Sequence, residues 1–108
     1  MKIDSSLMFE PVKVKTMAPQ IEAAGFDGAY TFEGQSDPFI SIAAAAMTTQ
    51  KMELMTSIAV AFARNPMSLA YLGNDLQNLS NGRFILGLGA QIKPHIERRF
   101  SMPWSKPA

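Results

Sequence analysis

Apolar, strand-like runs cover residues 3–9, 29–32, 54–62 and 83–88, and the gaps between them hold stretches of helical character. A strand–helix beat of about 25 to 30 residues marks βα units on a parallel sheet. The helix punctuation is legible too. Asp37-Pro38 sets an N-cap acid before a proline at the first helical position and predicts a helix over residues 39–50. Asn65-Pro66 repeats the device for residues 67–79. The first helix lies within residues 12–24; a start near Thr16 leaves Pro19 in the first turn, where a missing N–H costs little. Gly25 and Gly82, the latter after Asn81, are expected to close the first and third helices in the left-handed conformation.

The run over 54–62 is apolar on both faces, as in a strand buried inside a parallel sheet. The small residues Ala43 to Ala46 would let the second helix lie close to that sheet, and the eight methionines read as core filling. Four βα units fit two architectures. One is a small, open, doubly wound sheet; the other is the N-terminal half of a (β/α)8 barrel, which takes about 250 residues in full.

Composition removes several kinds of chemistry. With 47% apolar and 18% charged residues, the 108-residue chain is a globular sequence of one-domain size. It has no cysteine, so disulfides, thiolate metal sites and cysteine nucleophiles are excluded. A single histidine, His95, argues against a protein-only zinc site. The net charge of +1 argues against a nucleic-acid partner. Charge is split, with four Lys against seven acids in residues 1–54 and six Lys or Arg against two acids in residues 55–108. The start, Met1-Lys2-Ile3-Asp4, lacks the apolar run of a signal peptide, and no apolar stretch approaches the length of a membrane span. The expected setting is cytoplasmic and reducing, with a small-molecule substrate and no membrane.

In either architecture chemistry sits at the C-terminal ends of the strands. Those ends carry Met8-Phe9, Glu33-Gly34-Gln35, residues 57–62 and Gly87-Leu88-Gly89-Ala90-Gln91. Glu33 suits three roles there: a base, an acceptor for a ring N–H, or a cap on the following turn. Gly87 and Gly89 mark either a tight turn or a close backbone approach. The nucleotide motifs are missing: Ile92 stands where a dinucleotide fingerprint needs its third glycine, and no P-loop is present. Lys93, His95, Arg98 and Arg99 around Glu97 form a segment suited to an anion such as phosphate.

Four phrases in order resemble one known family. They are Gly25-Phe26-Asp27-Gly28 leading to Tyr30-Thr31-Phe32-Glu33 and Asp37-Pro38-Phe39; Ala63-Arg64-Asn65-Pro66-Met67; Leu79-Ser80-Asn81-Gly82-Arg83-Phe84-Ile85-Leu86-Gly87-Leu88-Gly89; and Lys93-Pro94-His95-Ile96-Glu97-Arg98-Arg99-Phe100 with Pro103-Trp104. The chain resembles the luciferase-like monooxygenases, and the last phrase resembles their subgroup using the deazaflavin coenzyme F-420. The resemblance implies a (β/α)8 barrel that binds F-420 or FMN at the strand ends and carries out hydride transfer, or oxygen activation with FMN.

It implies F-420 in preference to FMN here. It places Glu33 beside the ring, Ser57-Ile58 at a non-prolyl cis peptide bulging the third strand, and Gly87, Gly89 and Gln91 along the cofactor. Some members carry a catalytic histidine directly after the acid, where this chain has Gly34, so no catalytic residue is carried over. At about four βα units, the chain reads as the N-terminal segment of such an oxidoreductase. It is expected to self-associate or to need a C-terminal half. Two other readings are a non-enzymatic half-barrel that pairs with a partner chain, and a small α/β domain binding an anion at residues 93–99.

Overall fold

The computed structural model of the protein describes residues 1–7, 10–34 and 36–90. Its elements run β1 (Asp4–Ser6), α1 (Pro11–Ala23), β2 (Gly28–Thr31), α2 (Pro38–Thr48), β3 (Glu53–Thr56), β4 (Ala59–Val60), a 3-10 turn (Ala61–Ala63), α3 (Pro66–Leu79), β5 (Phe84–Ile85) and β6 (Leu88–Gly89). Four strands pair in parallel in the order β1-β2-β3-β5, and β4 pairs in parallel with β6. That order never reverses. A doubly wound sheet turns back on itself at a switch point, whereas a barrel adds each strand beside the last. Right-handed crossovers along such a sequence lay all the helices on one face. The structure thus separates the two expected architectures in favour of the barrel arrangement.

Two helices start as expected. Asp37 accepts a hydrogen bond from the Phe39 N–H at 2.7 Å and Asn65 one from the Met67 N–H at 2.8 Å, each with proline in the first turn. The first helix differs. It opens at Pro11, and Pro19 lies inside it. Pro11 holds the first-turn place that Pro19 was expected to take. The helix runs on through Pro19 because Val14, Ala18 and Ile21 bury one continuous stripe; what is lost is the N–H that Pro19 does not have. Gly25 (φ +96°) and Gly82 (φ +84°) both adopt left-handed backbone, and Asn81 (φ +57°) shares it.

The 54–62 run is not one strand. It divides into β3, a break at Ser57-Ile58, β4 and the 3-10 turn. The run over 83–88 divides likewise into β5 and β6. The core gathers Val14, Ala18 and Ile21 of α1, Phe39, Ile42, Ala45 and Ala46 of α2, and Ala29, Leu54 and Phe84 of the sheet. Register explains why the strands are not buried on both faces. Tyr30, Met55 and Ile85 form one row across β2, β3 and β5. The first two are half-buried and Ile85 is exposed, while their neighbours Ala29, Leu54 and Phe84 are buried. One face of the sheet carries helices; among the described residues no element covers the other. Nor do the methionines fill the core as expected: among the described residues only Met52 is buried, while Met47 and Met67 are exposed.

Two polar devices join the layers. Arg83 donates to the carbonyls of Ala46, Thr49, Met52 and Ser80 and to Thr49 Oγ1, at 2.7 to 3.1 Å, and so ties the end of α2 to the β3 and β5 entries. Glu22 of α1 accepts the N–H groups of Gln50, Lys51 and Met52 at 2.8 to 3.1 Å. Burial pushes the Glu22 carboxyl up, but those three donors, with the charge of Arg83, outweigh it and bring it below its ordinary value.

Candidate functional site

The C-terminal ends of β2, β3 and β5 converge on a rim made of Glu33, Ser57-Ile58, Gly87 and Gly89. Backbone bonds set its shape. The Ser57 N–H donates to Thr31 O at 2.6 Å, the Glu33 N–H to Ile58 O at 3.0 Å, and the Ala59 N–H to Gly87 O at 2.9 Å. The Ser57-Ile58 peptide bond is cis, as the resemblance implies. Ser57 is exposed and Ile58 half-buried.

Glu33 is held rather than poised. Its side chain is 9% exposed and forms a two-pronged ion pair with Arg64, whose side chain is 14% exposed. The Oε2 atom accepts from Arg64 Nη2 at 2.8 Å, and Oε1 accepts from Arg64 Nη1 and from the Val60 N–H at 2.7 Å. Arg64 also reaches Val60 O at 3.1 Å and lies 3.5 Å from Asp37. Hydrogen bonding to Glu33 leads the causes that raise the Arg64 guanidinium above its already high value, so it stays protonated.

The glycines have an internal reason. A Cβ on Gly87 would lie 2.1 Å from Thr56 O, and one on Gly89 would lie 1.9 Å from Ile58 Cδ1. The close approach expected at these two positions is to the neighbouring strand. Thr56 completes the join: its hydroxyl donates to Gly87 O and accepts from the Gly87 N–H, both at 2.9 Å.

The structure therefore brings Glu33, Ser57, Ile58, Gly87 and Gly89 to one edge. Gln91 lies outside the described residues, as do Met8, Phe9, Gln35 and the candidate anion segment over 93–99. Sequence reasoning missed Arg64 and Thr56 as parts of the rim. The available signal was a basic residue directly before the Asn65-Pro66 cap, at the C-terminal end of a strand run. Among the described residues no cluster of His, Asp or Glu is arranged to hold a metal ion, and no helix is long and apolar enough to cross a membrane.

The donor set fits a flat, largely uncharged ring. An exposed hydroxyl, backbone groups and the Ile58 side chain line the rim, and Arg64 neutralises the carboxylate beside them.

The chain is 53% identical, over its full length, to an uncharacterized protein of Mycobacterium tuberculosis, of which it covers 32%. It is 37% identical over 87 residues to another protein of that organism, named "Putative coenzyme F-420-dependent oxidoreductase", covering 80% of this chain and 25% of the relative. The chain thus spans about a third or less of the length of these relatives.

Among solved structures, a monooxygenase from Streptomyces bottropensis superposes with a TM-score of 0.82 at 24% identity, over 95% of this chain and 37% of its own. The oxygenating constituent of 3,6-diketocamphane monooxygenase from Pseudomonas putida, in complex with FMN, gives 0.80 at 22% identity, over 93% and 32%. A coenzyme F-420-dependent tetrahydromethanopterin reductase from Methanopyrus kandleri gives 0.75 at 24% identity, over 95% and 30%. These likenesses show the fold, the α/β arrangement of the N-terminal part of a TIM barrel. The family model for luciferase-like monooxygenases matches residues 4–108, and the chain belongs to that family.

Proposed function

We propose that the chain supplies the cofactor-side strands of an oxidoreductase that uses coenzyme F-420 and acts on a small-molecule substrate by hydride transfer. The observation that carries this reading is the meeting of Glu33, Ser57, Ile58, Gly87 and Gly89 at the strand ends of a family member, where barrel enzymes keep their chemistry. The bound deazaflavin supplies the hydride chemistry. The chain's own residues bind and orient it: Ser57 offers a hydroxyl at the polar edge of a ring, and Ile58 an apolar surface to its face. Gly87 and Gly89 let the strands close beneath; Gln91 is assigned to the cofactor by the family resemblance alone.

F-420 is preferred to FMN because the relative named for F-420 is 37% identical, whereas the FMN-bearing structure, at 22%, speaks only to the fold. A reducing, cytoplasmic setting is in keeping with a chain that has no cysteine. The test is titration of the 15N-labelled chain with F-420 and, in parallel, with FMN. The expected result is amide shifts clustered on Ser57, Ile58, Gly87 and Gly89, stronger with F-420. Scattered or absent shifts would overturn the site, and stronger shifts with FMN would overturn the choice of cofactor.

A further inference from the structure

Arg64 ties the β2–α2 connection to the end of β4. It pairs with Glu33 from the segment after β2, approaches Asp37, the cap of α2, and donates to the Val60 carbonyl between β4 and the 3-10 turn. The centre of its guanidinium lies 4.8 Å from the centre of the Phe39 ring. Glu33 passes that anchorage on to the backbone, taking the Val60 N–H on its carboxylate and giving its own N–H to Ile58 O. Ile58 in turn packs against Gly89, where an added Cβ would displace the end of the Ile58 side chain. The contacts run unbroken from Arg64 through Glu33 to residues 58–60 and on to β6.

Only a planar fork can make this junction, because two parallel donors must meet the carboxylate while another faces a carbonyl. The same geometry decides between the roles open to Glu33. Oε1 already accepts two hydrogen bonds and Oε2 another, in a nearly buried place. Protonating this carboxylate would break a charge-assisted pair and leave the half-buried Arg64 with only the more distant carboxylate of Asp37.

We infer that Arg64 is a positioning residue for the rim, acting through Glu33 to fix residues 58–60, and that Glu33 is a bracket rather than a proton acceptor. The inference rests on the cofactor reading only for what the rim receives; the bracket itself is tested without any ligand. Amide spectra and thermal melts are recorded for wild type, Arg64→Met, Arg64→Lys and Glu33→Gln, each alone and then titrated with F-420.

In the free protein, Arg64→Met is expected to move the Glu33, Ile58 and Val60 amide signals together. Glu33→Gln should move the same set, and Arg64→Lys should restore it only in part. With F-420, affinity should fall by about tenfold in Arg64→Met, the scale on which supporting partners of a bound group act. Where Arg64→Met does not fold, Glu33→Gln and Arg64→Lys carry the comparison. A folded variant whose melt drops while the signals of residues 58–60 stay in place would overturn the inference, since Arg64 would then only stabilise. If wild type shows no response to F-420, the cofactor reading fails, and the free-protein spectra still decide the bracket.

Discussion

Three glycines show how differently one missing side chain acts at different places. Gly73 lies inside α3 with open space at its Cβ position, so Gly73→Ala removes only a helix penalty and should stabilise by about 0.5 to 1 kcal/mol. Gly82 also has open space, but its φ of +84° makes Gly82→Ala cost about 1 kcal/mol. Gly87 meets a backbone carbonyl that cannot turn aside, and Gly87→Ala should be the most damaging of the three. Urea midpoints of the three variants check that order. The Gly82 effect was legible in the sequence because a cap is local; at Gly87 a close approach was one of two open readings, and what it meets, the Thr56 carbonyl, lies 31 residues away.

Glu22 gives a pH signature at the same scale. Its carboxyl is lower in the folded chain than its ordinary 4.5, so the unfolded chain binds the extra proton first. The stability it contributes is complete above the ordinary value and is lost as pH falls through and below 4.5. Glu22→Gln should lower the melting temperature at neutral pH and flatten its decline in acid. A variant curve parallel to that of wild type would contradict this role.

At the scale of elements, the two proline-opened helices were readable because cap and proline are adjacent in the chain. Asp37→Ala should destabilise by about 1 kcal/mol by removing the acceptor of the Phe39 N–H, measured by the shift in melting temperature. The first helix misled because two prolines compete for its start, and only the buried stripe of Val14, Ala18 and Ile21 decides between them. The divided third strand was equally invisible to periodicity, since an apolar run looks alike on either side of a break. Its position came from resemblance to the family. Arg83 and Arg64 were hidden for a third reason: each acts on groups distant in sequence, and a lone cation carries no mark of what it will meet.

At the scale of the molecule, the helices cover one face, and among the described residues the strand order leaves two edges, at β1 and β5. The edges are unlike. Beside β1, Lys2 reaches out to Glu53, and Asp4 lies in the strand; such charges discourage further pairing. Near β5, Ile85, Leu86 and Leu88 are 40 to 46% exposed, with no charge among them. The apolar groove of α3 and β5, lined by Leu69, Ala70, Phe84 and Leu86, lies on the same side. The βα beat made the repeating units legible, but which face of the sheet is covered is a matter of long-range packing that no local pattern carries.

We propose that the sheet of the described residues, with helices on one face, pairs through its apolar β5 edge with a partner. Sedimentation velocity over the micromolar range, with wild type beside Ile85→Lys, tests it most directly. Self-association that grows with concentration in wild type and weakens in the variant is the predicted result. A monomer at every concentration, with a sharp cooperative melt, would contradict it and show that the chain closes its own core.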